Sequence, residues 1–434
     1  MPRVIVGCTE AQARRIRSLG AAVYDEARAR QWPFLSDVLQ RALRGASEEE
    51  AAATAALAHA LVKYDRLLAF ATQSDRSDAR IDALFAMTRG GPAVTDARVE
   101  RIESRTERLG VLFSMPDWLV EHLEAELGES AALRAFARMN ELAPRVARVN
   151  GARTTRENAL LALEAEAVTA RPVARSAYGI VVESHRSLFR TDVFARGYVE
   201  MQDEASQLVA ELVAPPPRTF VVDACAGAGG KTLALAALLR GKGQVLALDA
   251  SEARLAQLRR RARRAEASNV RAVACDLLDA AALRGHAERA GSLAQRVLLD
   301  APCSGLGAIR RNPELRWRLR PGELNRLLDL QQALARAAAT LVLPHGRLVF
   351  ATCSFLPSEG ERAFDRFLQE NADYVSVSVR DVLGRTRTEG VATNDGRYLR
   401  TWRFDGTPDG GDEGMDGFFA GVARRRAQPS SGGP

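Results

Sequence analysis

Two thiols and a carboxylate stand out in this chain of 434 residues. Asp300 and Cys303 lie in LLDAPCSGLG, Leu298 to Gly307, where a hydrophobic run ends in an acid, a proline and a thiol and gives way to Ser304, Gly305 and Gly307. Cys353 lies in RLVFATCS, about fifty residues on, at the end of a second such run. Open α/β sheets bind ligands outside the carboxyl ends of their strands, so two such strands in one parallel sheet would set both sulfurs on one edge. A thiolate is a strong nucleophile once activated, and two thiols beside an acid point to covalent chemistry. The residues alone leave open which thiol attacks.

DACAGAGGKT, Asp223 to Thr232, is a glycine-rich strand-to-helix turn. Gly227, Gly229 and Gly230 let a ligand approach the backbone, and the following helix offers free N–H groups. A phosphate loop requires GxxxxGK[ST], but Cys225 stands where the first glycine belongs, and GxGxxG fails at Thr232. Lys231-Thr232 is the part of the phosphate-loop pattern that survives. Some twenty residues beyond the glycines, Asp249 ends a second strand, where an acid accepts hydrogen bonds from ribose hydroxyls. Asp276 ends a third, placed for an adenine edge. An adenosine ligand without an essential phosphate site fits all three positions, and S-adenosylmethionine is such a ligand. The chain has 58 arginines and three lysines, Lys63, Lys231 and Lys242. A sequence that writes nearly every cation as Arg has kept a compact ammonium at Lys231, where Arg is a poor substitute.

Stepping outward, FVVDAC, QVLALDA, VRAVACD, the run ending at Asp300 and the run ending at Cys353 read as strands, separated by helical segments such as GGKTLALAALLR and SEARLAQLRRRARRAEA. The alternation predicts an α/β fold with a doubly wound, mostly parallel sheet. A helix is expected from Pro321 to about Val342, then a turn at Pro344-His345-Gly346. YVSVSV, YLRTWRF and GFFAGVARRR are expected as edge strands. Upstream the signals are helical: Glu10 to Arg30, a capping box of Ser47 and Glu50 before AAATAALAHALVKYDRLLAF, and Pro116 to Leu127 closed by Gly128. His59 lacks a partner at ligand spacing and is expected to be structural. RVARVN, GIVVES and a helix capped by Thr154 or Thr155 mark a small α/β segment. The expected domains are a helical one over 1–137, an α/β linking subdomain over 138–200 and a catalytic domain over 201–427, with a disordered tail at 428–434.

A length of 434 residues, 47% hydrophobic and 26% charged residues and a mean hydropathy of -0.17 suit a soluble chain of two or three domains. No apolar run approaches the ~18 residues of a membrane helix, and the first residues have too short an apolar segment for a signal peptide; a cytoplasmic monomer without membrane association is expected. Five cysteines, at 8, 225, 275, 303 and 353, form no CxxC pair, which argues against disulfides and against structural zinc, and no metal is expected. Cys8 and Cys275 have no chemical surroundings and are expected to be structural. A net charge of +7 suits a phosphate-backbone partner. In IRRNPELRW, Ile309 to Trp317, the arginines Arg310, Arg311 and Arg316 are expected to hold RNA phosphates while Trp317 stacks or packs.

Together, SMPDWLV, RVN, QDEASQLV, DACAGAGGKT, DAPCSGLGAIRRNPELRW, ATCS and DGFFAGVARR resemble the Sun (RsmB-like) family of RNA cytosine-5 methyltransferases over roughly Arg138 to Arg425. The family usually writes its glycine loop DACAAPGGKT, from which Gly227 and Ala228 depart without removing a side-chain ligand. The resemblance implies a Rossmann-like methyltransferase domain over 201–427. In it Cys225, Ala226, Gly227, Ala228, Gly229, Gly230, Lys231, Asp249, Asp276 and Asp300 line an S-adenosylmethionine site, Cys353 is the nucleophile, and Cys303 assists release. The implied activity is methylation of carbon 5 of a cytosine in ribosomal RNA, of the small subunit, at a single-stranded or loop site through a covalent cysteine–cytosine intermediate. Bacterial members often carry an N-terminal domain like the RNA-binding antitermination protein NusB; the first ~130 residues are helical enough for one, though no motif of their own marks it. The alternatives are the same chemistry on transfer RNA, a non-catalytic RNA-binding or ribosome-assembly factor, against which Asp300, Cys303 and Cys353 speak, and a DNA methylase. DNA enzymes use the thiol of a Pro-Cys pair, as at Pro302-Cys303, whereas this RNA family uses the Thr-Cys one.

Overall fold

Thr9 and Ser47 start the first and third helices by the same device. Ser47 Oγ accepts from the Glu50 N–H and the Glu50 carboxylate accepts from the Ser47 N–H, both at 3.2 Å, so two orphan donors of Glu48–Lys63 are satisfied reciprocally. The computed structural model describes residues 9–88, 96–184, 186–289, 293–404 and 414–427; Cys8 and the tail 428–434 lie outside them. The chain divides into two units, one of Met1–Leu142 with Ala308–Glu323, the other of Ala143–Gly307 with Leu324–Pro434.

The first unit is helical. Glu10–Ala29, Leu35–Ala42 and Glu48–Lys63 bury Ile16, Tyr24, Leu35, Val38, Leu57 and Leu61 in one core. Asp117–Leu127 starts at Pro116 and stops at Gly128, whose φ of 81° favours glycine. The expected boundaries treated domains as contiguous stretches. Residues 308–323, expected within the catalytic domain, instead group with these helices.

In the second unit, strands β1 (Arg145–Val149), β2 (Ala170–Pro172), β3 (Gly179–Val182) and β4 (Val199–Met201) form an antiparallel sheet of order β2-β3-β1-β4. Thr155 caps the helix Arg156–Ala165, accepting from the Asn158 N–H at 3.2 Å. Buried Glu200 of β4 takes Arg261 at 3.0 Å and also Arg264, both in the helix Glu252–Arg264, and so ties this sheet to the larger layer.

That layer is an eight-stranded sheet among the described residues. Its strands are β5 (Thr219–Asp223), β6 (Gly243–Asp249), β7 (Val270–Ala274), β8 (Ala294–Asp300), β9 (Val342–Thr352), β10 (Tyr374–Val377), β11 (Leu399–Arg400) and β12 (Phe419–Arg425). The order is β10-β12-β9-β8-β5-β6-β7, with β11 on β12. β5 to β9 pair in parallel, and adjacent residues feed opposite cores: Val221, Val245, Leu298 and Val349 on one face, Val222, Leu246, Leu299 and Phe350 on the other. A parallel sheet covered on both faces requires such continuous apolar runs.

Two expectations change. GFFAGVARRR is not an edge: β12 runs antiparallel between β9 and β10, with Phe419 opposite Thr352, because its apolar residues are buried. The Pro344-His345-Gly346 turn is a bulge inside β9, whose register on β8 jumps from Ala294↔Val342 to Arg296↔Arg347. The helix expected from Pro321 spans Glu323–Ala339.

Candidate active site

Acids or a thiol stand at the carboxyl ends of four neighbouring parallel strands. Asp223 closes β5, Asp249 closes β6, Asp300 closes β8, and Cys353 follows Thr352 at the end of β9. From β5 the chain winds outward to β6 and β7, and from β8 the other way to β9. The crevice at such a switch point is where open sheets hold ligands.

Asp249 organises the glycine turn. Its Oδ2 accepts from the Gly227 N–H and its Oδ1 from the Ser251 N–H, each at 2.8 Å, which leaves acceptor capacity on both oxygens. Gly227 has φ 52° and Gly229 φ 89°, and a Cβ at Gly229 would lie 2.6 Å from Leu258 Cγ, whereas one at Gly227 or Gly230 would meet nothing within 4 Å. The turn from Ala226 through Ala228 to Gly230 therefore presents approachable backbone ahead of the helix Gly230–Leu238, and it fits a nucleoside. Asp276 is exposed just past β7, its Oδ1 accepting from the Leu278 N–H at 3.0 Å. Burial, then the charges of Asp223, Asp249 and Asp300, push the Cys225 thiol up. Cys225 is thus a neutral wall of this turn. Cys275 is buried in the core.

Lys231 joins the turn to the thiols. Its Nζ donates to Asp300 Oδ2 at 2.7 Å and lies 4.9 Å from the centre of the Phe418 ring. Burial works against its charge, but Asp300 and then Cys353 outweigh it, so the ammonium holds its proton above its usual range. The compact cation was legible in the sequence. Its partner, a carboxylate rather than a phosphate, was not.

Cys303 Sγ and Cys353 Sγ are 3.4 Å apart. The β8–β9 register brings them together: Asp300 pairs with Ala351, and the Ala301 N–H donates to the Ala351 carbonyl at 2.8 Å. The hydrogen bond to Cys353 first, then burial, then the charges of Cys353 and Glu359, push the Cys303 thiol well above its ordinary value. Either sulfur can be the donor of this pair. The Gly307 N–H donates to the Cys353 carbonyl at 3.0 Å, and only glycine fits there, since a Cβ would lie 1.8 Å from the Gly417 oxygen.

The residues expected to hold RNA are elsewhere. Arg316, 0% exposed, donates through Nη1 to the carbonyls of Lys63, Phe113 and Ser114 and to Asn140 Oδ1, and through Nη2 to the Met139 carbonyl, at 2.9–3.4 Å. Trp317 Nε1 donates to the Val62 carbonyl at 2.8 Å and its ring packs beside Trp32. The Arg310 side chain is buried, 3.8 Å from Glu141, and Arg311 is half-buried. Arg310 and Arg316 are therefore buried rather than part of a phosphate-facing surface, and Trp317 is half-buried and packs, as one of its two readings had it; sequence reports charge, and for the two arginines burial overrode it. His59 is structural in its contacts: Nδ1 lies 2.8 Å from the Ala55 carbonyl, and burial pushes its pKa down. Sequence reading missed Glu359 altogether. Buried at 1% exposure, it accepts from the Ser304 N–H at 2.8 Å and the Ser304 hydroxyl at 2.5 Å.

A doubly wound sheet with a glycine turn after its first parallel strand, an acid ending the next, and an antiparallel strand inserted beside the last defines a Rossmann-like methyltransferase fold. The solved protein PH0851 shares it, with a TM-score of 0.76 at 22% identity over 94% of this chain and 98% of that one. A family model described as 16S rRNA methyltransferase RsmB/F matches residues 210–422, and one for the ferredoxin-like domain of RsmF/B-like methyltransferases matches 115–188. A probable ribosomal RNA small subunit methyltransferase B of Synechocystis is 35% identical over 62% of this chain and 59% of its own length, so the chain spans about three fifths of that relative. The ribosomal RNA small subunit methyltransferase B of Xylella fastidiosa is 33% identical over 68% of this chain and 70% of its own. The chain belongs to the Sun, or RsmB/F, methyltransferase family.

Proposed function

We propose that the protein methylates carbon 5 of a cytosine in small-subunit ribosomal RNA, using S-adenosylmethionine and a covalent bond from Cys353 to the base. The sulfur pair at 3.4 Å beside the Lys231–Asp300 ion pair carries this reading, and the names of the curated relatives support the RNA class. The turn 225–231, with Asp249 and Asp276, is assigned to the cofactor, which supplies an electrophilic methyl group when bound.

Carbon 5 of cytosine is too weak a nucleophile to be methylated unaided. Cys353 Sγ, as thiolate, adds to carbon 6 and drives an electron pair toward carbon 5. Asp300, as a protonated carboxyl that donates to ring nitrogen 3, is assigned the charge that develops there, with the Lys231 ammonium beside it. Once carbon 5 is methylated, loss of its proton re-forms the carbon 5–carbon 6 double bond, the sulfur–carbon 6 bond breaks, and the pair returns to Cys353. The Cys303 thiol protonates the departing sulfur and, as thiolate, takes the carbon 5 proton; one proton goes to solvent per turnover. Cys353 is assigned the attack because it is the thiol of the Thr-Cys pair that the resemblance to the family implies, and Cys303, whose thiol is pushed well above its ordinary value, is assigned the release.

Target RNA and cofactor incubated with each variant and run on a denaturing gel test the assignment. Cys353→Ala should give neither methylation nor adduct. Cys303→Ala should accumulate RNA bound through Cys353. An adduct from Cys353→Ala and none from Cys303→Ala would move the nucleophile to Cys303. Bisulfite sequencing of ribosomal RNA from a strain lacking the gene should reveal the cytosine; no lost methylation there would refute the substrate.

A further inference from the structure

The main-chain ladder that aligns the two sulfurs ends early. Its last bond, from the Ala301 N–H to the Ala351 carbonyl, lies two residues before each cysteine. Beyond it, besides the bond from the Gly307 N–H to the Cys353 carbonyl, buried side chains hold the two loops, and they converge on one residue. Glu359 Oε1 accepts from the Ser304 N–H at 2.8 Å and from Gln331 Nε2 at 3.1 Å, while Oε2 accepts from Ser304 Oγ at 2.5 Å. Gln331 Nε2 also donates to the Pro302 carbonyl at 3.0 Å. On the other loop, Thr352 Oγ1 donates to the Glu359 carbonyl at 3.0 Å, and Ser354 Oγ lies 3.4 Å from Ser304 Oγ. Both neighbours of Cys303 and the residue before Cys353 are thus held, directly or through Gln331, by Glu359. All five side chains of this bracket, on Ser304, Gln331, Thr352, Ser354 and Glu359, are buried.

We propose that Glu359 is a positioning residue that sets the Cys303 sulfur against the Cys353 sulfur, so that the release step depends on it although it touches neither sulfur's substrate. The inference rests on the covalent reading above. Three donors meet the two carboxyl oxygens, a demand only an acceptor-only group satisfies throughout. An amide must turn one NH2 toward a site where a hydroxyl now donates, and the Ser304 proton must then find another acceptor. Removing Glu359 altogether strands the Ser304 and Gln331 donors, and buried unmade hydrogen bonds are relieved by movement of the loop. The charge of Glu359 also contributes to keeping Cys303 protonated, after its hydrogen bond to Cys353, burial and the charge of Cys353 itself.

The test compares Glu359→Gln, Ser304→Ala, their double variant and Cys353→Ala in the full chain, with kcat and KM for target RNA, calorimetric cofactor affinity and the trapped adduct as readouts. Glu359→Gln should lower kcat about ten- to hundredfold, as small misplacements of reacting groups do, with KM and cofactor affinity held within about twofold and adduct accumulating as for Cys303→Ala. The Ser304→Ala loss should largely vanish in the Glu359→Gln background, because coupled residues are non-additive. A folded Glu359→Gln protein with unchanged kcat overturns the inference. So does one in which kcat, KM and cofactor affinity all decline in step with thermal stability, which marks a merely structural group. Methylation by Cys353→Ala would instead overturn the covalent reading, whatever Glu359 does. Should Glu359→Gln fail to fold, Ser304→Ala carries the same test, and full turnover by it overturns the inference.

Discussion

Asp223 shows how one side chain at the sheet edge is governed by its surroundings. Its Oδ2 accepts from Thr232 Oγ1 at 2.6 Å, and its Oδ1 is buried with no hydrogen-bond partner among the described residues. Burial, opposed by the Thr232 hydroxyl and reinforced by the Asp300 charge, pushes the carboxyl up to about 7. The folded state therefore holds a proton that the unfolded chain releases near 3.8. This contribution to stability is complete below that value and is lost as pH rises toward 7, with a slope of at most about 1.4 kcal/mol per pH unit. Asp223→Asn, neutral in both states, should show a shallower decline across that window in urea unfolding at stepped pH; a slope equal to that of the unaltered protein would refute the buried proton. Asp300, Cys303, Cys353 and Lys231 were legible because their types and spacing are themselves the signal. Asp223 and Glu359 were not, since an acid at a strand end or in PSEGE looks like any cap until burial and donors from 28 and 55 residues away converge on it.

At the scale of elements, three helices end on one guanidinium. The carbonyls that receive Arg316 come from Lys63 at the end of Glu48–Lys63, from Phe113 and Ser114 after Arg105–Leu112, and from Met139 near the end of Glu129–Asn140. Helix C-termini carry unsatisfied carbonyls and partial negative charge, which is why a buried cation with no carboxylate ion-pair partner among the described residues is tolerated. Lys63 does similar work, donating to the Asn140 and Glu141 carbonyls at 3.1 and 3.2 Å, and burial beside Arg316 and Arg310 pushes its pKa down to about 8. Arg316→Met should cost at least ~2 kcal/mol, the loss of charged hydrogen bonds plus stranded acceptors, and hydrogen exchange should speed first at the ends of those three helices. Arg316→Lys should recover little, because a single ammonium cannot span a planar fork of acceptors. Wild-type protection in Arg316→Met would show that the carbonyls are satisfied without it. The helices themselves were readable from caps and periodicity. That their ends meet around an arginine 177 or more residues away from all three was not, since periodicity reports a buried face and says nothing of which ends converge.

For the whole molecule, the chain visits the helical unit twice, leaving the sheet unit at Gly307 and rejoining it at Leu324. A contiguous reading of composition has no means of seeing such an excursion, so the helical part was expected as one stretch over 1–137. Removing it should not be neutral. Residues 308–323 carry Arg316 and Trp317, both hydrogen-bonded within that unit, and the buried Ile309 and Leu319. A chain begun at Ala143 would leave Arg316 and Trp317 without those partners, at ~1.5–3 kcal/mol for each large apolar side chain returned to water. The consequence reaches the chemistry through covalent continuity, because Gly307, whose N–H donates to the Cys353 carbonyl, is followed directly by the released segment. The shortened chain should be cut by protease within 308–323, unfold at lower temperature than the full chain, and lose turnover while its glycine turn still binds cofactor. Resistance to cleavage there with full methylation would show that the 308–323 segment folds without the helices and that Cys353 does not depend on it.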